Sequence, residues 1–389
     1  MKYTVLPRSK SISQIFSVTP SSVSSLWYFL NTISDRRRSQ GRRYPLGVIL
    51  TLSVLALCCG ETSYQAMSEW VENYQEEIND KVPFLAGYFP DPATIYRVFA
   101  DLDILAFEQA LGEFLQAICY LEENEGIAID GKSVGKSGLH LVAAFAHQMR
   151  SVLFEMGTDT KGKELVVGPK VLEKISIKNH VITGDALFAQ KKICDQITKN
   201  GGGFVFVVKG NQELLENDLR FFFNSPPFGT EIETDTTAEK SHGQMEERSV
   251  ESAVSPTGFV SFPGVTHIFR LSREVEKDCN VATEQVVGIA RLLREDGPAK
   301  QINSFVRGHW QIENRLHRQR DVVFGEDKCP IRKRNAPQVM AALKNLVISL
   351  FHRAAVRSFP GAFRRFRADP TELFTLLGLT EVAKSYVYA

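Results

Sequence analysis

The chain has 389 residues, of which 43% are hydrophobic and 23% are charged, and its formal net charge is +1. This composition is typical of a water-soluble globular protein, and the length predicts two or three folding units. Bulk charge identifies no partner, and none of the six cysteines forms a CxxC pair, which argues against structural zinc and redox chemistry. We expect reduced thiols in a cytoplasmic protein.

The first part of the chain has a helical pattern. Residues 1–20 resemble a loose leader without the apolar core of a signal peptide. The apolar stretch LGVILTLSVLALCC (46–59) is shorter than the roughly 18–20 residues of a membrane span, so a buried helix is predicted and no membrane partner is expected. SYQAMSEWVENYQEEI predicts another helix, and a long one is expected to begin at Asp91-Pro92. Residues 21–122 are therefore predicted to form an all-helical domain.

The pattern changes at Glu125 to short strands separated by turn residues. GIAIDGK, LHLVAAFA and SVLFEMGT predict three strands, and HVITGDAL and GFVFVVKG predict two more. Helical patterns lie around 164–175, in AQKKICDQITKN and in QELLENDLRFFF. This order predicts an α/β fold, with a mixed sheet flanked by helices, over residues 123–229.

Residues 230–294 contain four further strand patterns and are predicted to form a small β insertion. Helices return over 295–357, which we assign to a second part of the core. The remaining residues, 358–389, form a basic tail with one more short predicted helix.

Basic residues cluster in three places on this nearly neutral chain. The first cluster contains Arg36, Arg37, Arg38, Arg42 and Arg43, and the others lie around 315–334 and 353–367. Separate basic clusters suit a polyanion lying across a surface. For any single cluster, a solvated helix face remains the alternative.

Two aspartates follow apolar runs in the same sequence context. Asp130 ends the strand GIAID, and Asp185 follows the strand in HVITGD. Ligands of α/β proteins bind at the carboxyl ends of strands, and the first and fourth strands of such an order are often neighbours. We therefore expect the two carboxylates to converge, with Gly131 and Gly184 leaving space beside them. The alternative for each aspartate alone is an ordinary Asx-turn or helix cap.

A third acid is predicted within HWQIENRLHRQRDVVFGED (309–327). On an α-helix Glu313, His317 and Arg320 lie on one face, which suits a metal ion beside a phosphate. The alternative for Glu313 is a surface salt bridge with Arg315 or His317. The residues predicted to contact DNA are Lys132, Lys209, His317, Arg320 and the first arginine cluster.

Asp130, Asp185 and Glu313 are therefore the predicted catalytic residues and metal ligands. Three carboxylates without a thiolate favour Mg²⁺, for which Mn²⁺ can substitute, over zinc. Such a site can hold two ions that assist the attacking and the leaving oxygen of a phosphodiester. Phosphoryl transfer to water or to a 3′-hydroxyl is the chemistry that this set of residues favours.

Several motifs occur together in the order of a known family. IAIDGK, LHLVAAFA, VITGDALFAQKKI, GGFVFVVKGNQ, HGQMEERSV and HWQIENRLHRQRDVVFGED resemble DDE insertion-sequence transposases of the H-repeat-associated branch. YPLGVILTLSVLALCCGETSYQAMSEW and FPDPATIYRVF resemble the helical region that precedes the core there, so the resemblance covers roughly residues 25–355.

The resemblance implies an RNase H-like core whose DDE acids are Asp130, Asp185 and Glu313. It also implies metal-dependent cleavage of DNA at transposon terminal inverted repeats and joining of the 3′-hydroxyl to target DNA. A homodimer on paired ends is expected, in a cytoplasmic protein that is nucleoid-associated when bound to DNA.

The chain departs from this family at several positions. The lysine that usually follows the glutamate by seven residues is Arg320 here, and the usual tyrosine and arginine before it are Val306 and His309. The β insertion lacks the tryptophan on which some relatives stack a flipped base. Two other hypotheses stay open: an RNase H-like nuclease without strand transfer, and an inactive or domesticated copy that only binds DNA.

Overall fold

The computed structural model describes residues 25–79, 81, 89–118, 121–158, 162–241, 244–277 and 280–379. The predicted leader 1–20 lies outside these residues, as do Cys119 and Cys279. The cysteines within the described residues, Cys58, Cys59, Cys194 and Cys329, are free thiols.

The part of the chain before the sheet is helical, as its pattern predicts. Its helices are α1 Leu26–Asn31, α2 Leu46–Cys58, α3 Tyr64–Asn73, α4 Gln75–Asn79, α5 Pro92–Asp101 and α6 Ile104–Ile118. Asp91 caps α5 by accepting a hydrogen bond from the Thr94 amide at 2.9 Å. The single long helix expected after Asp91 is wrong. Leu102 adopts an extended conformation and ends α5, and a new helix follows.

Helix α2 is a core helix, and all 13 of its residues are buried. Within the described residues, Ser39–Cys58 is the one candidate membrane span by length and composition, and 78% of its apolar window is buried inside the protein. Gly60, with φ +87°, reverses the chain just after the helix. The apolar composition of this stretch is therefore used for packing inside the protein.

The sheet of the described residues has nine strands. They are β1 Gly126–Ser133, β2 His140–Ala146, β3 Ser151–Thr158, β4 Val181–Gly184, β5 Gly203–Val208, β6 Glu233–Ser241, β7 Gln244–Val254, β8 His267–Lys277 and β9 Asn280–Arg291. Their order across the sheet is β3-β2-β1-β4-β5-β9-β8-β7-β6. β1 is antiparallel to β2 and parallel to β4, and β4 is parallel to β5. The first five strands therefore form the predicted RNase H-like mixed sheet.

The four strands predicted as a small insertion extend this same sheet. β9 pairs antiparallel with β5, so that Val205 lies opposite Ala290. β8, β7 and β6 then follow as antiparallel neighbours. The insertion thus continues the hydrogen-bonded ladder of the core.

The remaining helices cover the sheet and follow it. They are α7 Glu164–Leu172, α8 Lys191–Lys199, α9 Glu213–Asn224, α10 Pro298–Gln311, α11 Ala336–Arg353, α12 Phe359–Ala368 and α13 Thr371–Leu376. Ile127 and Ile129 of β1 belong to the core beneath α7 and α8, whereas Ala128 belongs to the core shared with the first helices and α11. Neighbouring residues of β1 thus serve opposite faces. The tail has two short helices within its described part, where one was expected.

A row of polar contacts joins β6 to α10. Alternate residues of the strand meet helix residues spaced four apart: Glu233, Asp235, Thr237 and Glu239 bond to Ala299, Asn303 and Arg307. Asn303 Nδ2, for example, donates to Asp235 Oδ2 at 2.7 Å. Asn303 contacts both Asp235 and Thr237, so three helix residues serve four strand residues. The contacts therefore attach the edge strand β6 to successive turns of α10.

The helix predicted around 308–320 changes its geometry within that range. It is an α-helix up to Gln311, and residues 312–317 and 319–323 are π-helical. We call residues 312–323 the π segment. A π-helix has more residues in each turn than an α-helix, so positions seven apart no longer share a face. The single face expected for Glu313, His317 and Arg320 is therefore wrong for Arg320.

Candidate active site

The two aspartates lie side by side at one edge of the sheet. The parallel pairing of β1 and β4 ends with Ile129 opposite Gly184, and Asp130 and Asp185 are the next residues. Neighbouring strands lie about 4.8 Å apart, so the predicted convergence of these two positions is confirmed. Asp185 also accepts a hydrogen bond from the Leu187 amide at 3.0 Å, so it forms the Asx-type cap of the alternative interpretation as well.

Glu313 reaches the same place from the π segment. His317 Nδ1 lies 3.5 Å from Asp130 Oδ2 and 3.4 Å from Glu313 Oε2. One ligand-type atom from each of these three residues lies within 4.8 Å of the other two. Asp185 is outside this group of three but lines the same cavity as Asp130 and Glu313. The structure therefore brings the three predicted acids to one cavity and adds His317 between two of them.

The glycines beside the aspartates have a different role from the expected one. A Cβ atom on Gly131 would lie 2.6 Å from His140 Nε2 and 2.9 Å from Glu164 Cγ. A Cβ atom on Gly184 would lie 3.0 Å from Phe188 Cβ. Other side chains of the protein occupy the space beside both glycines. The expectation of open space is therefore wrong, and the glycines allow close packing behind the carboxylates.

The cavity has a volume of about 220 Å³ and is lined by more than the predicted residues. Arg248 and Arg273 reach it from β7 and β8, and His309 and Trp310 from α10. The Trp310 side chain is 52% exposed. The two arginines were missed because the pairing that places β7 and β8 beside the acids is not a local feature of the sequence.

Crowding of the carboxylates changes their protonation. Burial, together with the charges of Glu313 and Asp185, raises the pKa of Asp130 to about 7. Burial also raises the pKa of Asp185, whereas the hydrogen bond with His317 lowers the pKa of Glu313. Burial lowers the pKa of His317, so its imidazole is neutral near pH 7. The site thus contains negative charge that the neighbouring histidine does not neutralise.

These residues fit a divalent cation. Carboxylate oxygens are the ligands that Mg²⁺ and Mn²⁺ prefer, and a neutral imidazole is compatible with Mn²⁺. Burial and the repulsion of the neighbouring acids raise the pKa of Asp130, and a cation lying among the acids offsets both effects. The donor set therefore supports the predicted metal chemistry.

A second polar chain supports the wall of the cavity. His147 Nε2 lies 3.0 Å from Thr183 Oγ1, which lies 3.2 Å from His309 Nδ1. Burial lowers the pKa of His147 to about 3 and that of His309 to about 4, so both rings are neutral. A Cβ atom on Gly308 would lie 2.1 Å from His147 Nδ1, which explains glycine at that position. His309, which replaces the usual arginine, is therefore part of a neutral hydrogen-bonded chain.

The predicted DNA contacts near the acids fall into three kinds. Lys209 is exposed at the rim of the cavity, where its charge lowers the pKa of Asp185 against the effect of burial. The Lys132 ammonium is paired with Asp321 at 2.7 Å, and its side chain is only 14% exposed. His317 is buried and faces the two acids, so a direct DNA contact by His317 conflicts with the structure.

Arg320 is also placed differently from its prediction. Its side chain is 0% exposed and is paired with Glu155 and Glu326. The shift to π-helical geometry carries Arg320 away from the face that bears Glu313. The predicted phosphate contact by Arg320 is therefore wrong for this structure.

The first arginine cluster forms a loop ordered around Asp35. Arg37 donates to Asp35 Oδ2 and to the Tyr44 carbonyl, both at 2.7 Å, and its side chain is 17% exposed. Arg42 donates to the carbonyl oxygens of Asp35 and Arg37, and Arg36 is paired with Asp103. Arg37 thus stabilises the loop itself. Arg36, Arg38, Arg42 and Arg43 keep exposed side chains that a polyanion can reach.

Two family models and several known proteins match this chain. Residues 122–350 match the family model described as "Transposase DDE domain", and residues 27–115 match the one described as "DDE_Tnp_1-associated". The "Putative transposase YncI" of Escherichia coli O157:H7 is 29% identical over 343 residues, which cover 85% of this chain and 87% of that protein. The "H repeat-associated putative transposase YhhI" of Escherichia coli K12 is 27% identical over 359 residues, covering 86% and 92% of the two chains.

Proposed function

The chain belongs to the DDE transposase family, and on that premise we propose that it cuts DNA at the ends of a mobile element and joins the freed 3′-hydroxyl to target DNA. The observation that supports this most strongly is the meeting of Asp130, Asp185 and Glu313 at one cavity. These acids come from two neighbouring strands and a distant helix. Both reactions are phosphoryl transfers, which need positioning and charge stabilisation more than covalent catalysis by protein groups.

Asp130 and Glu313 are the proposed principal ligands of Mg²⁺ or Mn²⁺, with Asp185 completing the set at the same cavity. A divalent cation bound there would supply activation of the attacking oxygen and stabilisation of the leaving oxygen. His317, neutral and buried, orients the two carboxylates that it faces. The protein's own contribution is therefore to gather negative charge and to hold it in place.

The DNA backbone is proposed to enter beside the cationic groups at this cavity, of which Lys209 is exposed whereas Arg248 and Arg273 are paired with Glu246. Lys209 follows β5, and Arg248 and Arg273 reach the cavity from β7 and β8. Salt-sensitive contacts to phosphates are the expected role of such side chains. The exposed arginines of the loop 36–43 are proposed to bind DNA from the helical domain, and a homodimer is proposed to hold two ends.

The nuclease alternative differs in the acceptor of the phosphoryl group. A hydrolytic enzyme uses only water, whereas a transposase also uses a 3′-hydroxyl end. The helical region that matches a transposase-associated model favours the recognition of ends. The DNA-binding-only alternative is disfavoured by the retention of all three acids at one cavity.

The test is Mg²⁺-dependent cleavage of the element's own end, followed by joining of a labelled 3′-hydroxyl end to plasmid DNA. The wild type is expected to do both, and Asp185→Asn is expected to bind the end but to do neither. Asp195→Asn is the matched control, because Asp195 is partly exposed on α8 and is paired with Lys199. Equal cleavage by wild type and Asp185→Asn would contradict the proposed site. Cleavage without joining would favour the nuclease.

A further inference from the structure

The π segment is attached to the sheet by three polar side chains. His317 faces Asp130 of β1, and Asp321 is paired with Lys132 of the same strand at 2.7 Å. Arg320 is paired with Glu155 of β3, with Nη1 at 3.0 Å from Oε2. The segment that bears Glu313 is thus attached at several points across strands β1 to β3.

Arg320 is the most buried of these attachments. Its Nε donates to both Glu326 carboxylate oxygens at 2.9 and 3.0 Å, and its Nη1 donates to Glu155. The Glu155 and Glu326 side chains are at most 1% exposed. Because guanidinium donates in a fixed planar fork, two carboxylates on different sides of it fix its orientation.

Glu155 stands in the same row of the sheet as Asp130. Asp130 lies opposite Ala143 of β2, and Ala143 lies opposite Glu155 of β3. Residues directly opposite each other in antiparallel strands point to the same face, so Asp130 and Glu155 share a face two strands apart, about 10 Å. The contact of Arg320 with Glu155 therefore fixes the π segment relative to the row that holds the catalytic aspartate.

Glu313 depends on its backbone for its position. Its side chain is 54% exposed; it is paired with His317, another member of the π segment, and shares a hydrogen bond with Asp130, the residue that it must meet. π-helical turns are rare and persist where their surroundings hold them. The position of the Glu313 carboxylate opposite Asp130 therefore depends on what holds the π segment.

We propose that Arg320 is a positioning residue, whose buried pairs with Glu155 and Glu326 hold the π segment so that Glu313 and His317 meet Asp130. The inference rests on the proposed function for the role of Glu313 as a metal ligand. It replaces a phosphate-contacting role for Arg320, since a side chain with no exposed surface and two carboxylate partners offers nothing to DNA.

The test compares four variants of the full chain. Arg320→Met removes the charge with little change of volume, and Arg320→Lys keeps the charge without the fork. Arg320→Met combined with Glu155→Gln removes one buried charge of each sign and leaves Glu326 paired with Lys344, 3.7 Å away. Arg318→Met is the matched control, because Arg318 is an exposed arginine of the same segment.

The first readout is the Mn²⁺ dissociation constant of the DNA-free protein, followed by electron paramagnetic resonance. Arg320→Met is expected to weaken Mn²⁺ binding by about 10- to 100-fold, as for other residues that support metal ligands. Arg320→Lys is expected to recover part of that loss. Arg318→Met is expected to bind Mn²⁺ as the wild type does. The double variant is expected to regain the melting temperature but not the Mn²⁺ affinity.

The second readout is DNA affinity as a function of salt. If Arg320 contacted a phosphate, its replacement would make the negative slope of log K against log salt shallower by about 0.9. If Arg320 is a positioning residue, its replacement leaves the slope unchanged. A folded double variant with wild-type Mn²⁺ affinity would overturn the inference. So would a shallower salt dependence of DNA binding when Arg320 is replaced. If wild type binds Mn²⁺ but neither cuts nor joins DNA, the proposed function fails while the Mn²⁺ comparison still decides the role of Arg320.

Discussion

Two groups of charged residues meet at the π segment and differ in how their charges are balanced. The open acidic cluster consists of Asp130, Asp185 and Glu313 at the cavity. The buried ion network consists of Arg320, Lys344, Glu155 and Glu326, whose side chains are at most 1% exposed. The first contains three acids and a neutral histidine. The second contains two cations and two anions.

The pKa shifts differ between and within these groups. In the open acidic cluster, burial and neighbouring acids raise the pKa of Asp130 to about 7. In the buried ion network, burial raises the pKa of Glu155 although the charge of Arg320 opposes it, whereas the charges of Arg320 and Lys344 outweigh burial and lower the pKa of Glu326. Acids that lack an internal cation must take up a proton or an external cation. Charge balance therefore distinguishes the candidate binding site from the buried ion network, although both meet at the π segment.

The largest expected effect is that of removing one acid from the open acidic cluster. Asp130→Asn should lower the cleavage rate by at least about 10³-fold, because a proposed metal ligand is lost. The same change should raise the free energy of unfolding by on the order of 1 kcal/mol above pH 7. The folded pKa of Asp130 exceeds its unfolded value of about 3.8, so ionisation destabilises the folded state progressively between about pH 4 and 7. Single-turnover cleavage and urea unfolding at pH 5 and 8 check both parts.

A change of the same chemical kind in the buried ion network should have the opposite effect on stability. Glu326→Gln is expected to lower the free energy of unfolding by about 3–5 kcal/mol, because Arg320 and Lys344 lose their shared buried anion. Urea unfolding with the metal-free protein measures this. A stability equal to that of wild type would remove the distinction between the two groups.

A pH titration of metal affinity should distinguish the open acidic cluster further. Since the pKa of Asp130 is about 7, a cation competes with a proton below that pH. Affinity for Mg²⁺ should rise with pH, by at most about tenfold per unit below pH 7, and level off above it. Calorimetry in buffers of different ionisation enthalpy should detect proton release at pH 6. Constant affinity between pH 5.5 and 8 would contradict the crowding of the acids.

The smallest effect is expected for a single rim cation. Lys209→Ala should make the negative slope of log K against log salt for DNA binding shallower by about 0.9, with a modest loss of affinity. Lys199→Ala is the control, because Lys199 is exposed on α8 and is paired with Asp195. Fluorescence anisotropy between 50 and 200 mM salt measures the DNA affinity of both variants. Affinity that depends on phosphate contacts falls steeply over this range. Identical slopes would show that Lys209 makes no phosphate contact.

The sequence allowed the prediction of those features whose cause is local. Each of the first five strands is a short apolar run between turn residues, and the order of the elements predicts the β1–β4 neighbourhood that brings Asp130 next to Asp185. The Asx-type cap at Asp185 was also foreseen as an alternative, and the structure shows that one carboxylate can serve both purposes. Glu313 was predicted as the third acid from its position on a helix and from the resemblance of the surrounding stretch to a family motif.

What could not be predicted depends on non-local packing. α-Helical spacing predicted that Arg320 shares a helix face with Glu313. This prediction is wrong because the segment is π-helical, and such turns depend on tertiary contacts. Glu155 is one residue in an ordinary strand pattern, and nothing local indicates that a distant arginine will be its partner. The extension of the sheet by β9 has the same origin, because a strand's sequence does not specify which edge it will join.

The row of contacts between β6 and α10 has a consequence for the active site. The contacts hold α10 at one position along its axis relative to β6. A shift of α10 by one helical turn, about 5.4 Å, would carry Glu313 out of range of Asp130. The polar edge of the sheet therefore helps to set the position of the Glu313 carboxylate along the axis of α10, although Glu313 lies more than seventy residues after the start of β6.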